Sequence, residues 1–111
     1  MSSNANSVFR AIADPTRREI FHVLVGSHES LTISEISAHF DMSRQGVTKH
    51  LKMLEEAKLV NIHSRGRKRV CQANARPLME IKDWVSTYEK FWEEAFSSLT
   101  EYLDEGKQPT G

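Results

Sequence analysis

The chain is short of the features that staple, anchor or export a protein. Its 111 residues hold one cysteine, Cys71, which excludes an intrachain disulfide and fits a reducing compartment. No apolar run approaches the roughly 20 residues that span a bilayer. The first seven residues, Met1-Ser2-Ser3-Asn4-Ala5-Asn6-Ser7, have neither a basic nor an apolar stretch, so no signal peptide is expected, and a cytoplasmic location is. There is no internal repeat and no low-complexity tract. His, Asp and Ser residues are scattered without a nucleophile elbow, a phosphate loop or metal-ligand spacing, so no enzyme and no cofactor is expected. Net charge is also missing: 15 Lys and Arg balance 15 Asp and Glu.

That balance hides an asymmetry. Residues 43–69 hold eight cations (Arg44, Lys49, Lys52, Lys58, Arg65, Arg67, Lys68, Arg69) against Glu55 and Glu56, a local charge of +6. Residues 1–42 sum to −2 and residues 77–107 to −5. Such a division predicts one face for a polyanion and another kept away from it.

The length fits a single domain, 1–111, with 39% hydrophobic residues to build a modest core. Val8, Phe9, Ile12 and Ala13 predict a short first helix. Asp14 then caps a second helix, with Pro15 at its first position, Ile20, Val23 and Leu24 inward and Gly26 at its end. Thr32 and Glu35 have capping-box spacing for a third helix, with Ile33, Ile36 and Phe40 on its inner face. After a break at Asp41-Met42, Ser43 caps a fourth helix that turns Val47, Leu51 and Leu54 inward. Helices three and four, joined by so short a turn, form a helix-turn-helix pattern.

Leu59–His63 and Lys68–Gln72 predict two strands around a tip at Ser64-Arg65-Gly66-Arg67, where Gly66 is free to take a positive φ. The expected fold is mainly α with a small β-hairpin, a winged helix-turn-helix in the order α-α-α-α-β-β-α. Its nucleic-acid-reading part covers about 32–73. Residues 1–6 and 106–111 are expected to fray.

One long final helix is expected over about 77–105. Two heptad series run along it: Leu78, Val85, Trp92, Leu99 and Ile81, Tyr88, Ala95, Tyr102. Trp84, Phe91, Phe96 and Leu103 widen the apolar face. Leaving this surface wet costs roughly 25 cal/mol per Å², so a homodimer is expected. Its interface is assigned to Phe9, Ile81, Val85, Tyr88, Trp92 and Leu99.

If the fourth helix enters a major groove, Gln45 has the donor and acceptor for adenine. Arg44 suits guanine or a phosphate, and the Thr48 methyl suits thymine. Ser43 can offer its hydroxyl to a phosphate. Gly46 costs the helix up to ~1 kcal/mol and permits close approach of the backbone. Lys49, Lys52, Arg65, Arg67, Lys68 and Arg69 suit phosphates or the minor groove, giving affinity more than sequence information. His50 is placed either towards DNA or against the helix below.

The run Phe9-x-x-Ile12-Ala13-Asp14-Pro15-Thr16-Arg17-Arg18-Glu19-Ile20 resembles the opening of ArsR-type bacterial repressors. Ser43 to Val60 resembles their recognition helix and exit: His50, Leu51, Leu54, Ala57, Leu59 and Val60 match, while Thr48 and Lys58 stand where Ser and Gly are usual. The resemblance covers roughly residues 8–104. It implies a homodimeric repressor that binds a two-fold symmetric DNA operator, with the first and last helices at the interface.

Many members of that family sense metals. Here Leu31–Ser37 has no Cys-x-Cys pair, the last helix has Asp83, Glu89, Glu93 and Glu94 but no histidine, and His22, His28, His39, His50 and His63 do not cluster. The chain therefore resembles the metal-independent branch, with no metal site expected. Two alternatives stand beside this reading: a metal-responsive sensor, and a winged-helix protein-interaction module that does not bind DNA. The sequence names no small-molecule inducer.

Overall fold

The computed structural model describes residues 3–107. They form helices α1 (Ser3–Ile12), α2 (Pro15–Gly26), α3 (Ile33–Phe40), α4 (Arg44–Glu56), α5 (Leu78–Ser86) and α6 (Glu89–Lys107). Three short strands, β1 (Leu31–Thr32), β2 (Val60–Arg65) and β3 (Lys68–Ala73), make an antiparallel sheet in the order β1-β3-β2. This is the mainly α winged helix-turn-helix architecture, with one strand more than the sequence pattern indicates. The described residues divide into two compact units, one up to Ile81 and one from Lys82 onward.

In the first unit, Val8 and Ala11 of α1, Ile20, Phe21 and Leu24 of α2, Ile33 and Ile36 of α3, and Val47, Leu51 and Leu54 of α4 share one core. Leu59, Val60 and Cys71 close it from the sheet, and Leu78 and Ile81 of α5 pack against it partly buried. Phe21, not Val23, completes the inner stripe of α2; Val23 is only half-buried. Ser3–Asn6 belong to α1 and Ala5 is buried, so the helix starts earlier than its polar opening suggests. Gly106 and Lys107 lie within α6, and the remainder of the predicted C-terminal fray, 108–111, is outside the described residues.

The corner between α1 and α2 explains the Asp-Pro-Thr-Arg-Arg run. The Asp14 carboxylate accepts from the Arg17 amide at 3.0 Å, which caps α2. The same Arg17 turns its guanidinium back onto α1, donating to Ala11 O at 2.7 Å and Arg10 O at 2.9 Å. Arg18 donates to Ile12 O at 2.7 Å. Carbonyls at the end of a helix have no partner within it, and cations suit that end of the helix dipole. One run of five residues thus ends α1 and starts α2.

The capping box at α3 is complete: Thr32 N–H donates to Glu35 Oε1 at 3.0 Å, and Glu35 N–H to Thr32 Oγ1 at 3.1 Å. Thr32 is also the β1 partner of Val70 on β3, so the start of α3 is bolted to the wing. Asp41, at φ 52°, ends α3 in the left-handed region. Helix α4 leaves through Lys58 at φ 65°. There Lys58 N–H reaches Glu55 O and Leu59 N–H reaches Leu54 O, both at 2.9 Å, the paired bonds of a Schellman ending. Glycine is the usual occupant of that position.

The hairpin pairs from Val60↔Ala73 out to Arg65↔Lys68, so the strands run two residues closer to the tip on β2 than the pattern indicates. Only Gly66 and Arg67 remain in the loop, and Gly66 has φ 63°. A two-residue hairpin loop with glycine first matches the right-handed twist of its strands.

The second unit corrects the single long helix. The segment is interrupted at Thr87-Tyr88 between α5 and α6. Ser86 Oγ donates to Asp83 O and Thr87 Oγ1 to Trp84 O, each at 2.7 Å. The backbone amides of Thr87 and Tyr88 reach only three residues back, to Trp84 O and Val85 O. Adjacent hydroxyls that bond to nearby carbonyls compete with the helical ladder and tighten it into a turn. The aromatics nevertheless form a ladder across the break: Trp84 meets Tyr88 edge-on at 5.4 Å, and Tyr88 stacks on Trp92 at 6.3 Å.

Candidate nucleic-acid interface

Helix α4 separates its residues by face. Val47, Leu51 and Leu54 are buried, while Arg44, Gln45, Lys49 and Lys52 are exposed and Thr48 is half-exposed. Arg44, Gln45, Thr48, Lys49 and Lys52 line one shallow surface. Ser43 caps the helix by accepting from Gly46 N–H at 3.1 Å, and its residue remains exposed. Thr48 donates its hydroxyl to Arg44 O at 2.7 Å, so its hydrogen is used inside the helix, leaving methyl and lone pairs for an outside partner. Gly46 has an ordinary helical φ. An added Cβ would meet Ser43 Oγ at 3.3 Å and Met42 Cε at 3.5 Å, both on side chains.

His50 points at the α1–α2 corner rather than outward. Its Nδ1 lies 4.0 Å from the Asp14 carboxylate, tying α4 to the cap of α2. The bond from the Arg17 amide holds the Asp14 carboxyl below its ordinary range, against a smaller opposing effect of burial, with Arg17 and His50 adding to the lowering.

The wing brings Arg65, Arg67, Lys68 and Arg69 together, all exposed. Arg65 stands directly across from Lys68. Like charges opposed in a sheet are destabilising, so fold stability alone does not favour this pair. A groove joins the wing to the helix-turn-helix, lined by Thr32, Ile33, Ser34, Glu35, Arg44, Arg67, Lys68 and Arg69. Eight of the ten residues expected to touch DNA line these two surfaces, which share Arg44; Ser43 and Arg65 are exposed on the same compact unit but line neither. Glu35, which lines the same groove as Arg44, Arg67, Lys68 and Arg69, is a member of this surface that reading for positive charge overlooks. Its S/T-x-x-E spacing was visible, but signalled only a cap.

Of the residues assigned to a dimer interface, Tyr88, Trp92 and Leu99 are exposed and Phe9 and Val85 half-buried. Ile81 is partly occupied, packed against the core of the first unit. Among the described residues, no group of three His, Cys, Asp or Glu is placed to hold a metal ion, and no helix is long and apolar enough to cross a membrane. Cys71 is buried in the core, and burial pushes its thiol up to about 11.

A helix-turn-helix with a cationic outer face, followed by a cationic hairpin, defines a winged helix-turn-helix domain. Comparison with known proteins agrees. Residues 12–63 match the family model described as a helix-turn-helix domain. The chain is 32% identical over 83 residues to the transcriptional repressor SdpR of Bacillus subtilis, covering 75% of this chain and 90% of that protein. It is 37% identical over 92 residues to the HTH-type transcriptional regulator YuzN of the same organism, covering 77% of this chain and 99% of that one. Among solved structures it is similar to the ArsR family transcriptional regulator RHA00566, with a TM-score of 0.71 and 32% identity over 81% of this chain and 91% of that one. The chain belongs to the ArsR-type winged helix-turn-helix family and is a DNA-binding transcriptional regulator.

Proposed function

We propose that this regulator is a cytoplasmic, homodimeric repressor that reads an inverted-repeat operator and needs no metal to do so. The observation that carries the reading is the sorting of α4: an apolar face in the core and Arg44, Gln45, Thr48, Lys49 and Lys52 outside, beside the wing cations. Arg44, Gln45 and Thr48 read base edges from the first turns of α4. Ser43, Lys49, Lys52, Arg65, Arg67, Lys68 and Arg69 hold phosphates or the minor-groove rim. The repressing sign is supported by likeness to a protein named as a transcriptional repressor.

Pairing is supported by the aromatic stripe. Phe91, Phe96 and Tyr102 are 66%, 67% and 72% exposed, more than an isolated helix face of this size keeps at little cost. Two copies in one complex call for two half-sites.

The test is a titration of an inverted-repeat duplex from the adjacent promoter at several salt concentrations, with sedimentation to give the stoichiometry. Each neutralised phosphate contributes about 0.9 to the slope of log K against log salt. Arg67→Ala should flatten that slope by about 0.9 per protomer on every sequence. Gln45→Ala should instead change which sequence binds best. Binding that is absent or indifferent to salt sinks the proposal, and a monomer on a single half-site removes the pairing.

A further inference from the structure

We propose that Thr48 reads DNA with its methyl group alone, its hydroxyl serving as a strut of α4, and that each half-site presents a thymine to that methyl. The inference rests on the DNA-binding reading above and narrows it to one residue and one base. On the outer face of α4, Arg44, Gln45, Lys49 and Lys52 end in charged or amide groups, and Thr48 lies among them on the same shallow surface. It stands four residues after Arg44 and three after Gln45, so it shares their side of the helix.

What Thr48 can offer is set by α4 itself. Its Oγ1 donates to Arg44 O at 2.7 Å. The one hydroxyl hydrogen is thereby spent within the helix, and the side chain has no donor left for a base. The bond also holds the side chain in one staggered rotamer, so the methyl is ordered before DNA arrives. A group already ordered makes its contact without a rotamer cost on docking.

The major groove has one apolar mark, the C5 methyl of thymine. The oxygens of guanine and thymine ask for the hydrogen that Arg44 O has taken. A lone acceptor on Thr48 would serve the amino groups of adenine and cytosine alike, and so tell neither from the other. A methyl tells thymine from every other base, and it asks only for an apolar neighbour. Of the two groups on Thr48, the carbon is therefore the one that carries sequence information.

Three substitutions separate the two groups: Thr48→Ala removes both, Thr48→Ser restores the hydroxyl, and Thr48→Val restores the methyl. Thr48 lies outside the core, so all three should keep the fold, which circular dichroism checks. Binding is measured on the inverted-repeat promoter duplex and on copies in which one symmetric pair of thymines at a time becomes deoxyuridine, which lacks only the C5 methyl. Thr48→Val should bind the unmodified duplex about fourfold more tightly per half-site than Thr48→Ser or Thr48→Ala, the worth of one buried methyl. At one thymine position, deoxyuridine should cost the wild type and Thr48→Val that same factor and cost Thr48→Ser nothing. Thr48→Ser binding as tightly as Thr48→Val, an equal gain for Thr48→Val on unrelated duplex, or no thymine position that separates the variants overturns the proposal. The DNA face then still stands if Arg67→Ala weakens binding. If the wild type binds no duplex at any salt, the DNA face and the thymine contact fall together.

Discussion

Replacing Arg17 by alanine isolates the clamp between α1 and α2. The cap of α2 survives, because its bond to Asp14 comes from the Arg17 backbone amide. What disappears is the guanidinium on Ala11 O at 2.7 Å and Arg10 O at 2.9 Å. Arg17 is only half-buried, so each bond is worth about 0.5–1.5 kcal/mol net. A cation at the C-terminal end of α1 adds about 0.3–1 kcal/mol. The expected loss is about 2 kcal/mol. For a chain of this length each kcal/mol lowers Tm by about 4–6 °C, so a fall of roughly 8–12 °C is expected. Circular dichroism melts at one fixed protein concentration measure it, since self-association shifts Tm with concentration. Arg17→Lys should fall between the two, keeping charge but losing the fork. Arg18→Ala should cost less, because its bonds lie on the exposed surface. A fall below about 2 °C for Arg17→Ala refutes the reasoning, for water would then satisfy the α1 carbonyls as well as the clamp does.

Lys58→Gly should raise stability by about 0.5–1 kcal/mol in urea titrations, because Lys58 holds φ 65° where an L side chain is strained. Gly46→Ala should hold or raise Tm while weakening operator binding; unchanged binding would show that the α4 backbone does not approach DNA closely. Asp14 and Glu35 both titrate below their ordinary values of 3.8 and 4.5, so each stabilises the fold above those values and loses that contribution as pH falls through its lowered folded value. Tm should thus be level from about pH 7 to 5 and fall below about 4.5, less steeply in Asp14→Asn. The buried Cys71 thiol, raised to about 11, should react with a thiol reagent at pH 8 at least about 100-fold more slowly in the folded protein than unfolded. Equal rates would place it outside the core.

Local signals were legible and long-range ones were not. Asp14, Thr32 with Glu35, and Ser43 announce helix starts because a cap needs only a side chain and an amide two or three residues on. The apolar face of α4 follows from its period, and the wing from its loop glycine. Strand β1 is two residues long, and its reason for existing, Val70 and Cys71, lies about forty positions away. Whether Phe21 or Val23 turns inward depends on what α2 packs against, which its own sequence does not state. The break at Thr87-Tyr88 falls inside an unbroken heptad pattern, and hydrophobic period outweighed two hydroxyls. Positive charge located the candidate DNA face but hid two facts. Arg17 and Arg18 are spent on helix ends, and the anion beside the wing belongs to the same surface.

Thr32 holds two posts, as the strand partner of Val70 and as the cap of α3. A wing hinged freely on its helices could keep hold of one phosphate while the reading helix lifted and tried the next base pair. Here the wing is riveted to α3 through one residue, and α3 and the sheet share one core with α4, so lifting α4 away from the wing must disturb that core. Under the docking proposed above, a half-site is gained or lost as a unit, and the search along DNA proceeds by steps of the whole domain, not by one part waiting for the other.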